Sequence, residues 1–255
     1  MNEKRRWITP ANVVMLMGVL LTGYLLFSRP FVGVADNGDF SRVMNMAGLT
    51  AYDQVEGKAE HFFHFSHSSF SYSAPFQGDY ISSQLVLLLP LRLLAEAVNP
   101  GYFDIRWLGV GYVLLNLMAL WLVLRQTHDR SRGFILLLGG AILFVFFDAG
   151  YTAYFNSLYG EAATLTGCLL VFAAGLNLLS REHSLRASSL AGFFAAALFL
   201  TTAKLQNAPV GLLLALSFCD SPLYARINAG GPLRSAWRSP SQPFPSCSTG
   251  WRRRI

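Results

Sequence analysis

Charge is what this sequence has least of. Only 13% of its 255 residues are Asp, Glu, Lys or Arg, while 53% are hydrophobic, and soluble globular domains carry about 25% charge. So little charge excludes an ordinary soluble domain and predicts an integral membrane protein. Cysteine is scarce too. Cys168 lies within an apolar run, Cys219 ends another and Cys247 sits in the C-terminal tail, so no pair suggests a disulfide framework or a thiolate metal site. Surplus charge is confined to one place. Residues 1–225 carry 14 Lys/Arg against 14 Asp/Glu, and the net +6 comes entirely from Arg226, Arg234, Arg238, Arg252, Arg253 and Arg254. An arginine tail of this kind can touch anionic lipid headgroups, but it offers no aromatic-interleaved surface for single strands. Nucleic acid is therefore not an expected partner.

What the chain does have is long apolar runs. They fall at about 11–28, 105–124, 133–150, 162–179, 188–203 and 208–219, and the longer ones approach the roughly 20 residues a spanning helix needs. The class expected is an all-α integral membrane protein, a polytopic bundle, since each helix satisfies its own backbone hydrogen bonds in lipid. The run 11–28 follows "MNEKRRW" but has no small-residue cleavage pattern after it; it reads as a retained first span rather than a signal peptide. The two shortest runs read as a tight hairpin of spans broken at "KLQNAP", where Pro209 suits a first helical turn.

Lys and Arg gather in "NEKRR", "RQTHDRSR" (125–132) and "REHSLRA" (181–187), which predicts that these segments, and the N-terminus, are cytoplasmic. The run 81–98, "ISSQLVLLLPLRLLAEAV", is the ambiguous one. If it spanned, parity would put 125–132 outside, and its Arg92 and Glu96 one turn apart with Pro90 between apolar halves favour an amphipathic helix at the interface. The expected layout is six spans over 1–220 with one large outer loop, 29–104. From 221 to 255 the chain is rich in Pro, Ser, Gly and Arg without periodicity and reads as a disordered basic tail, either a flexible cytoplasmic end or an out-of-frame end of a longer protein.

In this layout three polar sets share the outer face: "ADNGDFSR" after the first span, "DAGYTAYFNSLYGEA" between the third and fourth, and "AKLQN" between the fifth and sixth. Asp36 and Asp39 alone read as a solvated loop or a helix cap, and "DNGD" is good turn material. Glu161 alone is a favourable acid at a helix start, and Lys204 alone snorkels from a helix end. Gathered on one side, they point to a polar site. Lys204, flanked by Gln206 and Asn207, offers donors to a phosphate. Glu60, His61, His64 and His67 in "EHFFHFSH" would converge as metal ligands only on a helix, and the surrounding Phe62, Phe63, Phe65 and Phe70 equally fit an aromatic interfacial belt.

The outer-loop element "GDFSRVMNMAG" (38–48) resembles the "DExRYAEIA" element of the polytopic GT-C glycosyltransferases, with Asp39 and Arg42 in register. "SSLAGFFAAALFLTTAKLQNAPVGLLLAL" resembles that superfamily's small-residue span pair interrupted by a lysine, and "NGDFSRVM" with "FNSLYGEA" is similar to the membrane hexose transferases of bacterial surface-glycan assembly. The resemblance covers about residues 8–218, with Phe40 standing where the usual second acid would be. It implies an inverting hexosyltransferase in the bacterial inner membrane, multi-pass, taking sugar from a polyprenyl-phosphate-linked donor to a cell-surface glycan acceptor. On that reading Asp39 is the base, Asp36 supports it or holds a divalent metal, Arg42 and Lys204 face the phosphate, and Glu161, Gln206 and Asn207 contact substrate. Whether a metal takes part stays open, since two carboxylates serve either scheme. The competing class is a non-enzymatic transporter or flippase component of envelope polysaccharide export. A transporter should carry ionisable groups near mid-span, whereas here they collect at one face.

Overall fold

The Thr9 side chain accepts a hydrogen bond from the Asn12 N–H at 3.2 Å, and Pro10 occupies the first helical position; both are start signals. They open α1 (Pro10–Phe27), whose outward face of Leu16, Met17, Leu20, Tyr24 and Phe27 is exposed as only lipid permits. The computed structural model describes residues 9–51, 66–179 and 187–219. After α1 come α2 (Phe40–Ala47), α3 (Gln84–Val98), α4 (Arg106–Gln126), α5 (Arg132–Phe146), α6 (Ala149–Phe155), α7 (Gly160–Leu179), α8 (Ala187–Ala203) and, past a 3-10 turn at Leu205–Asn207, α9 (Ala208–Cys219). The protein is a mostly helical membrane bundle. By length and composition α1, α4 and α7 each suffice to cross a membrane, and α5 with α6 do so as a pair bent by 58°.

Helix directions alternate. Gly18 of α1 lies against Leu117 of α4 and Leu26 against Gly109, so these two run antiparallel, whereas Val14 against Gly139 and Gly18 against Leu143 make α1 and α5 parallel. Gln126 of α4 bonds Asn177 of α7 and Asn116 bonds Thr166, a parallel pair, and Gly167 against Leu200 reverses α8 again. One end of the bundle therefore holds residues 28–40, 104–109, 147–160 and 203–208, and the opposite end holds 9–14, 124–134, 176–179 and 187–189. Close approach depends on small residues, as expected where lipid supplies no hydrophobic drive between helices. A Cβ on Gly167 would stand 2.9 Å from the Leu200 Cα, and one on Gly139 would stand 2.7 Å from Val14.

At the first of these ends a cap closes the bundle. It contains the helices α2 and α3 and a small antiparallel sheet, which the all-helical reading of the sequence did not anticipate: β1 (Leu49–Ala51), β2 (Ser69–Tyr72) and β3 (Phe103–Asp104), ordered β1-β2-β3. Gly48 makes the corner before β1 at φ +66°, where a Cβ would meet the Ser73 carbonyl at 2.5 Å. Both ends of α3 stay at this end of the bundle. Ser82 and Ser83 hydroxyls donate to the Ala203 and Phe199 carbonyls of α8, and buried Arg92 lies over the Tyr72 ring, pairs with Glu96 at 2.8 Å and donates to the Ser73 carbonyl. The helix runs through Pro90. Phe40, Val43, Leu85, Leu88, Phe103, Leu108, Tyr112, Phe155 and Ala162 form one core joining cap to bundle.

Candidate functional site

The stretch "ADNGDF" folds on itself first. Gly38, at φ +104°, lets the chain reverse so that the Asp36 Oδ1 accepts the Gly38 N–H at 2.7 Å and the Phe40 N–H at 3.1 Å. Asp36 is 2% exposed. Its carboxylate thus holds the entry to α2, an Asx-type turn, and it does not line the cavity described below. Asp39 points the other way, with a side chain 52% exposed and Arg42 beside it at 3.8 Å. Of two carboxylates three residues apart, one is structural and one faces water.

The segment "FNSLYG" then fixes this turn to the bundle. The Asn156 Nδ2 donates to the Val32 carbonyl at 2.8 Å, and Tyr159 accepts the Asn37 N–H at 2.8 Å while donating its hydroxyl proton to the Ala35 carbonyl at 2.9 Å. The Tyr159 ring meets Phe40 edge-on, centroids 4.7 Å apart. Burial first, then the nearby Asp36, Asp39 and Glu161 carboxylates, push the Tyr159 phenol up from its ordinary value. It is a neutral clamp, with both hydrogen-bonding directions used by the loop.

Glu161 opens α7 and Lys204 ends α8, and the Lys204 Nζ donates to the Glu161 Oε1. The lysine stem crosses directly over Gly160, where a Cβ would come within 2.9 Å of the Lys204 Cγ. Asn207 turns inward: its Nδ2 donates to the Thr164 hydroxyl and the Leu200 carbonyl, both at 2.9 Å, and so locks the 3-10 turn onto α7. Gln206 is exposed.

These pieces enclose an open cavity of about 380 Å³ at the cap end, with Asp39, Arg42 and Val43 from α2 on one wall, Lys204, Leu205 and Gln206 on another, and Tyr159, Gly160 and Tyr80 between. Of the candidates named from the sequence, Asp39, Arg42, Lys204 and Gln206 line it, Glu161 touches it through Lys204, and Asp36 and Asn207 brace it from behind. Tyr159, Gly160 and Tyr80 were not singled out from the sequence. The first two lie in "FNSLYGEA", whose glycine before an acid marks a close crossing, but Tyr80 has no local signal. Glu60, His61 and His64 lie outside the described residues. His67 is buried beside Phe70, and among the described residues no three His, Cys, Asp or Glu converge.

Residues 1–222 match the YfdI N-terminal transmembrane domain, so the match takes in α1, the cap and every helix that builds the cavity. The chain belongs to this family. No curated protein and no solved structure matches it. Within this family domain the loop after α1, the start of α7 and the α8–α9 turn meet at one end of a membrane bundle, with a carboxylate on one wall and an ammonium on another.

Proposed function

We propose that the protein is a membrane glycosyltransferase moving a hexose from a polyprenyl-phosphate-linked donor to a cell-surface glycan acceptor on the outer face of the bacterial inner membrane. The observation that carries this reading is the cavity itself, in which solvent-facing Asp39 stands opposite Lys204 at the level where the bundle ends. A lipid-linked sugar presents its phosphate and anomeric carbon at that level. Displacing a polyprenyl phosphate needs a base near the attacking hydroxyl and cationic donors near the departing phosphate. Asp39 has the exposure and chemistry for the first role, and Lys204 with Arg42 for the second. The resemblance of "GDFSRVM" and "FNSLYGEA" to GT-C elements supports the same assignment. In an inverting reaction the acceptor hydroxyl gives its proton to the Asp39 carboxylate, its oxygen bonds to the anomeric carbon, and the polyprenyl phosphate leaves with the bonding pair. A transporter fits less well. Away from the helix ends, the polar contact between α4 and α7 among the described residues is the uncharged Asn116–Thr166 pair at 2.8 Å, and no Asp, Glu, Lys or Arg stands in the middle of α1, α4, α5 or α7, where ion-coupled transport places ionisable groups.

The test is transfer from a radiolabelled polyprenyl-phosphate hexose to membrane extract by purified full chain. Label entering glycan is the expected result; donor crossing vesicles without any transfer would replace this reading by transport.

The sidedness is checked separately. In a variant freed of native cysteines, Ser69→Cys should react with an impermeant maleimide from outside and Ser131→Cys should not, given the Lys/Arg asymmetry. Outside labelling of residue 131 would invert the bundle and remove the cavity from the outer face.

A further inference from the structure

At the end of the bundle opposite this cavity, a groove of about 840 Å³ opens between α5 and α7. Its walls are apolar. Phe134 and Leu138 come from α5 and Phe172, Leu176 and Leu179 from α7, and Phe134, Phe172 and Leu179 are 46%, 45% and 66% exposed. Its polar rim is the α4–α5 connection. There the Gln126 Nε2 donates to the Asn177 Oδ1 at 2.8 Å, the Thr127 hydroxyl to the Leu124 carbonyl at 3.1 Å, and the Ser131 Oγ accepts the Phe134 N–H at 3.3 Å. Arg130 completes the rim, and its guanidinium makes no hydrogen bond or ion pair among the described residues.

The charge of this connection is mixed but positive on balance, Arg125, Arg130 and Arg132 against Asp129. Asp129 pairs with its neighbour His128 at 2.9 Å, Arg125 lies over the Trp121 ring, and Arg132 begins α5, so the connection keeps an excess of arginine over acid. A second helix laid in the groove would cover Arg130 without a counter-charge, which is costly in a low-dielectric setting. A lipid with an anionic headgroup meets both halves at once: its acyl chain covers the phenylalanines and leucines, and its phosphate reaches Arg130.

We propose that this groove is a binding site for an anionic glycerophospholipid of the leaflet at this end of the bundle. A basic pocket between transmembrane helices at headgroup depth is how proteins single out such lipids. The site lies at the opposite end of the bundle from Asp39 and Lys204 and does not depend on the proposed reaction.

Native mass spectrometry of the full chain in detergent with equimolar phosphatidylglycerol and phosphatidylcholine tests it. Phosphatidylglycerol should be retained preferentially. Arg130→Gln, at an exposed position, should lower phosphatidylglycerol retention about fivefold and leave phosphatidylcholine unchanged, with the lipid-free melting temperature unaltered. Leu176→Trp, which fills the groove, should lower retention of both. Equal retention of the two lipids, wild-type phosphatidylglycerol retention by the Arg130→Gln or the Leu176→Trp protein, or a dimer mass that Leu176→Trp abolishes would each overturn the assignment, the last in favour of a second copy.

Discussion

Asp39→Asn should insert and fold like the parent yet transfer sugar about a hundredfold or more slowly, the loss typical of a missing general base. Its side chain is half in solvent and its ion pair to Arg42 is long at 3.8 Å, and such exposed pairs contribute about 0–1 kcal/mol. Folding therefore has little stake in the carboxylate, and a large kinetic effect would belong to chemistry. Asp36 supplies the contrast. At 2% exposure it accepts the N–H groups of Gly38 and Phe40, a task an Asn oxygen can still perform, so Asp36→Asn should be mild. Asp36→Ala leaves those two N–H groups without their acceptor and should loosen the turn that aims Asp39. Transfer by radiolabel, with expression and melting temperature measured alongside, separates the two. Near-normal transfer by the Asp39→Asn protein would remove it as the base. Recovery on adding a divalent metal would move its role to coordination.

The helical membrane class was legible because it rests on run length and charge scarcity, which survive every local detail. What escaped was finer. The apolar run read as 133–150 is helical only to Phe146; Asp148 then accepts the Gly150 N–H at 2.9 Å and starts a second helix at 58° to the first. Asp148 before "AGYT" is a readable cap, outweighed by the hydropathy of the run. The sheet was illegible, since strands of two to four residues such as "SFSY" show no usable period. For the site, residue chemistry identified what could react but not which way each side chain turns. Asp36 and Asp39 have the same type and setting in sequence, and only the left-handed Gly38 sends one inward and the other to water. Asn207 likewise looked like a donor for substrate and is occupied by Thr164 and Leu200.

Lys204 and Glu161 are where fold and proposed chemistry are hardest to separate, and paired substitutions separate them. The lysine side chain is 24% exposed and the glutamate 39%, and the Glu161 Oε2 is buried without a hydrogen-bond partner among the described residues. Lys204→Gln alone should do two things at once. It should remove a phosphate donor, lowering kcat/KM for the lipid-linked sugar by roughly one to two orders of magnitude through lost charge-assisted hydrogen bonding, and it should lower the melting temperature, because a half-buried carboxylate loses its counter-charge. Glu161→Gln alone should lower the melting temperature less, since Lys204 can turn towards solvent. In the double variant, Lys204→Gln with Glu161→Gln, two amides can bond each other. Stability should therefore recover towards the parent, a non-additive cycle, while transfer stays as low as in Lys204→Gln. Recovery of both quantities together would mean that Lys204 only braces the α7–α8 contact over Gly160 and that the phosphate is met elsewhere, with Arg42 the remaining cation on the cavity wall among the described residues.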